Sequence, residues 1–155
     1  MRIDLTFEQC EDILKQQHYG HLGCCMDGEP YVVPATYVYK YGYLYSFTHD
    51  GQKIAMMRKH PSVCLQVECV RSGYDWESVI CWGKFEEITD EQERHEIELL
   101  LADQYAKVTT ESDELPVSPL IQELNEQKKD DVKKSVVYRI NIQKTTGKAE
   151  RPKKS

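Results

Sequence analysis

A run of strand-forming residues at positions 21–47 constrains the fold of this chain more than any other feature. β-Branched and aromatic side chains dominate the run, and Asp27-Gly28 interrupts it with a dipeptide typical of a two-residue hairpin turn. A second turn near Tyr41-Gly42 divides the rest, which gives strands at residues 21–26, 31–41 and 43–47. Because the connections are so short, they predict an antiparallel meander rather than a β-α-β unit.

Local signals place three helices around this region. Thr6 and Gln9 have the spacing of a capping box and predict the start of a first helix. Apolar residues at helical spacing predict a short helix at residues 51–60, which Pro61 ends. Asp90 is the expected N-cap of a third helix, in which one stripe is apolar: Ile97, Leu100, Leu101 and Tyr105.

The remaining segments complete a mainly β domain with peripheral helices. Further strands are predicted at residues 63–70, 76–88 and 136–142, which brings the total to about six antiparallel strands. Residues 107–118 are polar and irregular, and residues 119–129 could form another short helix. Since 155 residues suffice for one hydrophobic core, we expect a single domain over residues 1–147. A basic, disordered tail is expected over residues 148–155.

Charge and hydropathy exclude several classes of function. The chain has 20 basic and 26 acidic residues, a formal net charge of −6, and no basic groove is visible. Nucleic-acid binding needs clustered cations, so we expect no nucleic-acid partner. No apolar run approaches the length needed to span a bilayer, and the N-terminus lacks the apolar stretch of a signal peptide. We therefore expect a cytoplasmic protein with no membrane partner.

The cysteines and histidines show no recognisable metal motif. The six cysteines include no C-x-x-C pair, and most fall on apolar strand faces, where a reduced thiol packs as a small hydrophobe. A disulfide or metal role stays the alternative for them. Cys24 and Cys25 are neighbours in a predicted strand, so their thiols should face opposite sides. His95-Glu96 lacks the second histidine of a zinc motif, and we expect no catalytic metal.

The segment from Thr48 to Lys53 has the features of an anion site. It joins a strand to the start of a helix, where backbone N–H groups and the helix dipole favour negative charge. Gly51 permits close approach, Thr48 offers a hydroxyl and Lys53 supplies a cation. An exposed lysine at an ordinary helix start is the alternative interpretation. Asp50 would repel a phosphate unless it caps the helix and points away.

Several short motifs together resemble the pyridoxamine 5′-phosphate oxidase-like family, in particular its small FMN-binding branch. The similarity covers residues 8–90 and resumes at residues 137–147. The motifs are, in order: Pro30-Tyr31-Val32-Val33-Pro34, Leu44-Tyr45, Gly51-Gln52-Lys53-Ile54, Met57-Arg58-Lys59-His60-Pro61-Ser62-Val63-Cys64, Trp76-Glu77-Ser78-Val79, Gly83 and Tyr138-Arg139-Ile140.

The resemblance implies a split β-barrel that dimerises, with one FMN at each end of the shared interface. It assigns the phosphate to Thr48 and Lys53, with Gly51 and Gln52 completing the turn. Trp76 and Ser78 would approach the flavin across the opposite strand. The residues implied along the isoalloxazine edge are Val33, Pro34, Ala35 and Thr36. Proline in a strand is confined to edges and irregular points, so we expect the strand to be broken or bulged at Pro34, with a simple edge strand as the alternative.

Two departures narrow the expected activity. The family's true pyridoxamine phosphate oxidases have an Arg-Lys pair where this chain has Gln52-Lys53, which argues against oxidation of vitamin B6 phosphates. The nitroimidazole-reducing branch has a histidine near the end of the third strand, where this chain has Ser46 or Thr48, with His49 nearby. That activity is therefore also not expected.

The resemblance leaves three functions open. The first is an FMN-dependent oxidoreductase acting on a small molecule, with NADH or NADPH as the candidate donor and chemistry supplied by the flavin. The second is an FMN carrier or redox sensor without turnover. The third is a haem-binding split-barrel protein, for which the histidines form no recognisable axial pair.

Overall fold

The computed structural model describes residues 1–111 and 135–153, with side chains up to residue 104 and from residue 135 onwards. No helix in these two ranges is long and apolar enough to cross a membrane. The elements are, in chain order: β1 (Arg2–Asp4), α1 (Phe7–Gln16), β2 (Tyr19–Met26), β3 (Glu29–Thr36), β4 (Val38–Lys40), β5 (Tyr43–Thr48), α2 (Gln52–Lys59), β6 (Ser62–Ser72), β7 (Asp75–Glu87), α3 (Glu91–Glu111) and β8 (Val136–Glu150).

All eight strands belong to one antiparallel sheet. Its order is β3-β2-β6-β7-β8-β5-β4, and β1 pairs with the far end of β8. Among the described residues, no pairing joins β3 to β4 at the two ends of this order, so the curled sheet stays open along one seam. The predicted class, a split β-barrel with peripheral helices, is confirmed, but it contains eight strands rather than about six.

Both predicted hairpin turns are present, but the predicted meander is wrong. Asp27 and Gly28 have φ of 52° and 79°, the positive pair that a two-residue type I′ turn requires. Tyr41 and Gly42 repeat these values. The single strand predicted at residues 31–41 is instead two strands, because β3 pairs with β2 and β4 pairs with β5 at the opposite end of the sheet.

Tyr37 explains why the chain leaves β3 and crosses to the other end of the sheet. Its backbone N–H donates to the His18 carbonyl at 3.0 Å, and its hydroxyl donates to the Leu14 carbonyl at 2.9 Å. The side chain is buried, and burial raises the pKa of its hydroxyl well above the ordinary value. These partners lie beyond the local sequence pattern, so alternation alone could not locate the break.

A β-bulge bends the two longest strands. Trp82 of β7 pairs with Lys144 of β8, but the next residue, Gly83, pairs with Ile142, which leaves Gln143 as the extra residue. A Cβ atom added to Gly83 would lie 2.3 Å from the Asn141 carbonyl oxygen. Glycine is therefore required where the bent strands approach each other.

The main core fills the inner face of the sheet. Leu22, Leu65 and Val79 are at most 1% exposed on three adjacent strands. Burying such side chains stabilises the fold by roughly 1.5–3 kcal/mol each. Helices α1 and α2 cover this face, with these residues buried: Cys10, Ile13, Leu14, Ile54, Met56 and Met57.

Helix α3 packs against the other side of β4, β5 and β8. Asp90 Oδ2 accepts from the Glu93 N–H at 3.0 Å, which confirms the predicted N-cap. Between the helix and these strands lies a second, smaller hydrophobic core, to which Ile97, Leu100 and Leu101 of the predicted apolar stripe contribute. The helix continues to Glu111, so the irregular segment predicted from residue 107 is wrong for residues 107–111. The side chain of Tyr105, residues 112–118 and the helix predicted at 119–129 lie outside the described part of the chain.

The two ends of the described chain meet on β8. Strand β8 runs to Glu150, eight residues beyond the predicted end, and residues 148–150 pair with β1. The Arg151 N–H donates to the Met1 carbonyl at 2.9 Å. The boundary predicted at residue 148 is therefore too early, because these residues belong to the sheet.

The cysteines contain no disulfide, since all six are free thiols. Cys24 is buried and Cys25 is exposed, which confirms that neighbouring thiols face opposite sides of β2. Cys10 and Cys81 are also buried as small hydrophobic side chains. The described residues contain no group of three or more His, Cys, Asp or Glu that could hold a metal ion.

Candidate functional site

The turn between β5 and α2 carries four of the sequence-predicted residues. Thr48 is the last residue of β5 and is buried, and Gly51 is the N-cap of α2. Gln52 and Lys53 are the first two residues of the helix. No side chain caps this helix and no acidic residue lies in its first turn, so its N-terminal N–H groups face no carboxylate cap.

Asp50 does not cap this helix, contrary to one of the two arrangements considered from the sequence. Its carboxylate forms an ion pair with Arg58, the two nearest atoms being 3.3 Å apart. Arg58 also makes two 2.9 Å hydrogen bonds to Glu87. These contacts raise the pKa of Arg58, and the hydrogen bonds to Glu87 make the largest contribution. The carboxylate of Asp50 is thereby held toward Arg58 in the last turn of α2.

Lys53 is a half-buried cation near the core-facing thiol of Cys24. Burial lowers the pKa of Lys53, and the nearby Cys24 thiol opposes this shift. Within the described residues, no carboxylate lies within ion-pair distance of its ammonium group. A cation that is half-buried without a counter-charge is costly, and an anionic ligand would compensate it.

Strand β3 places its four predicted residues on an edge of the sheet. Pro34 is exposed and pairs with His21 on one side only, so the edge-strand interpretation is confirmed. The register with β2 is continuous, and the strand is not broken at this point. Val33 is half-buried, Ala35 and Thr36 are buried, and Pro34 faces outward, so the four residues do not share one surface.

A hydrogen bond connects the end of β3 to β5. The Ser46 hydroxyl donates to the Thr36 carbonyl oxygen at 2.6 Å. Ser46 lies two residues before Thr48 on the same face of β5, since the side chains of a strand alternate. The structure therefore brings the end of β3 next to the strand that leads into the candidate anion site.

Trp76 and Ser78 lie elsewhere, on the outer face of the sheet. We use outer face for the side of β3, β2, β6 and β7 opposite the buried residues Leu22, Leu65 and Val79. Ser78 Oγ accepts a 3.0 Å hydrogen bond from Gln66 Nε2 of β6. The Arg2 guanidinium lies 5.9 Å from the centre of the Trp76 ring. These two residues are thus separated from Lys53 by the sheet itself.

Sequence reasoning missed a cleft of about 460 Å³ on this part of the sheet. Trp82 is 37% exposed beside it, with the Lys144 ammonium 4.9 Å from the ring centre. None of the predicted site residues lines the cleft, although Cys24 lies near Lys53 and Val32 precedes Val33. The lining residues are Gly23, Cys24, Cys25, Pro30, Tyr31, Val32, Ser62, Val63, Cys64, Trp82, Gly83 and Gln143.

The open antiparallel sheet with peripheral helices defines a small split-barrel protein. Its candidate anion site is the strand-to-helix turn at Lys53, which has no carboxylate partner in the described part of the chain. The chain matches the family model of pyridoxamine 5′-phosphate oxidase over residues 6–149. It therefore belongs to the pyridoxamine 5′-phosphate oxidase family, as the sequence motifs predict.

The chain is also similar to individual proteins and solved structures. An uncharacterized protein of Rhizobium meliloti (strain 1021) is 36% identical over 91 residues, which are 59% of this chain and 60% of that relative. A FAD-binding protein from Mesorhizobium loti is 28% identical, with a TM-score of 0.74 and coverage of 96% and 98% of the two chains. A candidate 5-nitroimidazole antibiotic resistance protein from Bacteroides thetaiotaomicron is 24% identical, with a TM-score of 0.69 and coverage of 96% and 87%. At that identity the last match shows a shared fold.

Proposed function

We propose that this protein binds FMN and acts as a flavin-dependent oxidoreductase on a small molecule. The observation that carries the proposal is the half-buried Lys53 without a carboxylate partner among the described residues, beside an uncapped helix N-terminus. A phosphate group supplies the missing negative charge and accepts hydrogen bonds from the helix N–H groups. FMN carries such a group at one end of the molecule.

The residues of the turn fit a phosphate in two respects. A Cβ atom added to Gly51 would meet only the His49 carbonyl oxygen, at 3.9 Å, so the space above the turn is open. The Asp50 carboxylate is held by Arg58 rather than at the start of the helix. Lys53 and the Thr48 hydroxyl would hold the phosphate, and Gly51 and Gln52 would complete the turn.

The separation of the candidate residues supports a homodimer. Cys24, the neighbour of Lys53, faces the core, whereas Ser78 lies on the outer face. His21 and Cys24 are three strand residues apart, about 10 Å, and Ser78 lies beyond His21 and two strands away, about another 10 Å. Because the sheet also lies between the two sites, we propose that they contact one flavin from two different copies.

The outer face offers the surface that a second copy would cover. Val32, Val70 and Trp82 are 66%, 62% and 37% exposed on three of its strands. Exposed apolar groups on a sheet face are typical of an interface. Residues Val33 to Thr36 of one copy and Trp76 and Ser78 of the other would then border the flavin ring.

When bound, FMN supplies the hydride or electron transfer. The side chains of this chain then need only bind, orient and exclude water. Lys53 would fix the phosphate end, while the apolar edge strand β3 would keep solvent from the ring. No side chain is required as a nucleophile. Gln52 stands where a pyridoxamine phosphate oxidase has arginine, so the proposed substrate is not a vitamin B6 phosphate.

FAD is the competing cofactor, since the Mesorhizobium loti relative is a FAD-binding protein. Releasing the cofactor from purified protein and separating it by liquid chromatography with mass detection distinguishes the two. We expect FMN. Recovery of FAD alone would contradict the FMN proposal while leaving a flavoprotein.

An absorption spectrum of the purified protein is the first test. Flavin bands, together with quenching of added FMN fluorescence, are the expected result. A colourless protein that does not quench FMN would refute the proposal, and a Soret band would favour haem. Steady-state reduction by NADH or NADPH with a quinone or nitro acceptor then separates an oxidoreductase from a carrier, which would show no sustained turnover.

A further inference from the structure

Three polar side chains on the outer face form a fixed hydrogen-bond arrangement. Gln66 Nε2 donates to Glu68 Oε2 and to Ser78 Oγ, both at 3.0 Å. An ionised carboxylate can only accept hydrogen bonds, so the atom of Gln66 that faces Glu68 must be the amide nitrogen. Glu68 thereby fixes the orientation of the Gln66 amide.

This arrangement leaves one donor and one acceptor on two side chains that are hydrogen-bonded to each other. Both hydrogens of Gln66 Nε2 are used, and Ser78 Oγ accepts one of them. Among the described residues the Ser78 hydroxyl donates to no group, so its own hydrogen is available. Gln66 Oε1 likewise receives no hydrogen bond there, and it is not among the buried atoms that lack a partner. An accessible acceptor and an available O–H donor therefore belong to two side chains in direct contact.

A donor beside an acceptor recognises a ligand edge that presents a carbonyl next to an N–H. Amides and cyclic imides have such an edge, and so does the pyrimidine ring of a flavin. We propose that Gln66 Oε1 accepts from the ring N3–H and that Ser78 donates to the adjacent carbonyl. Gln66 would bind the ring directly, and Glu68 would be a positioning residue that acts through it. This inference rests on the proposed function and adds the specificity of the ring end.

The neighbours of the pair agree with a ring edge arriving from outside the sheet. Gln66 is in register with His21 on β2 and with Ile80 on β7, and all three side chains are half-buried. An imidazole and an aliphatic group thus flank the amide on the same face. The Tyr19 ring meets the His21 ring edge-on, with centres 5.6 Å apart. A flat ring could contact these groups while its edge meets Gln66 and Ser78.

The test compares FMN with FMN methylated at N3, which has no N–H at that atom. Dissociation constants come from quenching of flavin fluorescence. For the wild-type protein we expect the methylated compound to bind about tenfold more weakly, the size of one hydrogen bond. Gln66→Ala should weaken FMN binding by about tenfold and abolish the discrimination between the two compounds.

Two further variants separate the roles. Ser78→Ala should weaken both compounds equally and so preserve their ratio, because it removes the contact to the carbonyl. Glu68→Gln lets the Gln66 amide turn over, so the discrimination should shrink without disappearing. Thr146→Ala is the matched control, since Thr146 is exposed in register with Ile80 and outside the arrangement. Thermal melting of each variant checks folding.

The outcomes distinguish this inference from the proposed function. If the wild-type protein binds neither compound, the flavin proposal fails and this inference fails with it. If FMN binds but the wild-type protein does not discriminate, or Gln66→Ala keeps the wild-type discrimination, then only this inference is overturned.

Discussion

Replacing Lys53 with methionine tests the proposed phosphate site directly. Methionine keeps an unbranched chain of similar volume and removes only the charge and its donors. A hydrogen bond to a charged partner contributes about 1.5–3 kcal/mol, so FMN affinity should fall roughly 10- to 100-fold. The side chain is half-buried rather than solvated, which argues for the upper part of this range because screening by water is reduced.

The same substitution should have the opposite effect on the protein without flavin. Burial lowers the pKa of Lys53, so the folded state disfavours the charged form. Below the folded pKa the lysine is charged in both states, and folding carries the full penalty. As the pH rises through the folded pKa toward the ordinary value of 10.5, the folded state releases its proton and the penalty disappears. Lys53→Met should therefore raise the melting temperature most at neutral pH.

Riboflavin supplies the matched ligand for this assay, because it is FMN without the phosphate. Fluorescence titration should show that Lys53→Met weakens FMN but leaves riboflavin within about twofold of wild type, below the free energy of one hydrogen bond. Lys59→Met is the control variant, since Lys59 is exposed at the other end of α2. An equal loss for both ligands would place the effect of Lys53 away from the phosphate, and unchanged FMN affinity would remove the site.

Three further predictions follow from single contacts. Arg58→Ala releases the Asp50 carboxylate, which would then repel the phosphate, so FMN affinity in the same titration should fall by about threefold. Adding Asp50→Asn to this variant should restore the affinity. No loss in Arg58→Ala would mean that Asp50 is too distant from the phosphate to affect binding. Gly83→Ala forces a Cβ to within 2.3 Å of a backbone oxygen and should lower the free energy of unfolding in urea by about 3 kcal/mol. Gly73→Ala is the control, since nothing lies within 4 Å of its added Cβ, and it should change the free energy of unfolding by less than about 0.5 kcal/mol. Equal effects would contradict the close approach at Gly83. Burial raises the pKa of Tyr138 from 10.0 to about 12, so the free energy of unfolding should fall by roughly 3 kcal/mol as the pH rises from 10 to about 12. Urea unfolding at each pH should show that Tyr138→Phe flattens this slope. An unchanged slope would exclude Tyr138 as its source.

The features that the sequence predicted correctly depend on a few neighbouring residues. The capping box of Thr6 and Gln9 needs only the residues of one helical turn, and both of its hydrogen bonds are present. The Asp27-Gly28 turn depends on two residues with positive φ. The meander failed because the partner of a strand is not a local property. Tyr37 redirects the chain through contacts with Leu14 and His18, which lie about twenty residues away.

The candidate site also has a part that could be predicted from neighbouring residues and a part that could not. Gly51 and Lys53 follow a strand and begin a helix, so their juxtaposition could be predicted from adjacent positions. The cleft beside Trp82 could not, because Gly23, Cys64 and Trp82 come from three strands that meet only when the sheet forms. A Cβ added to Gly23 would lie 2.8 Å from Cys64 Sγ, and no pattern within β2 indicates that contact.

The strict alternation of side chains makes the assignment of Ser78 unusually sensitive to register. A slip of one residue would exchange Ser78 for Val79, which is fully buried and could contact no ligand. Ser78 faces outward, while Lys53 lies beside the core-facing Cys24. The two family motifs that contain Lys53 and Ser78 are therefore on opposite sides of one sheet. If both contact one flavin, the two contacts must come from different copies. The dimer is then a condition for a complete site, and a variant that is monomeric but folded should bind flavin weakly even with Lys53 intact.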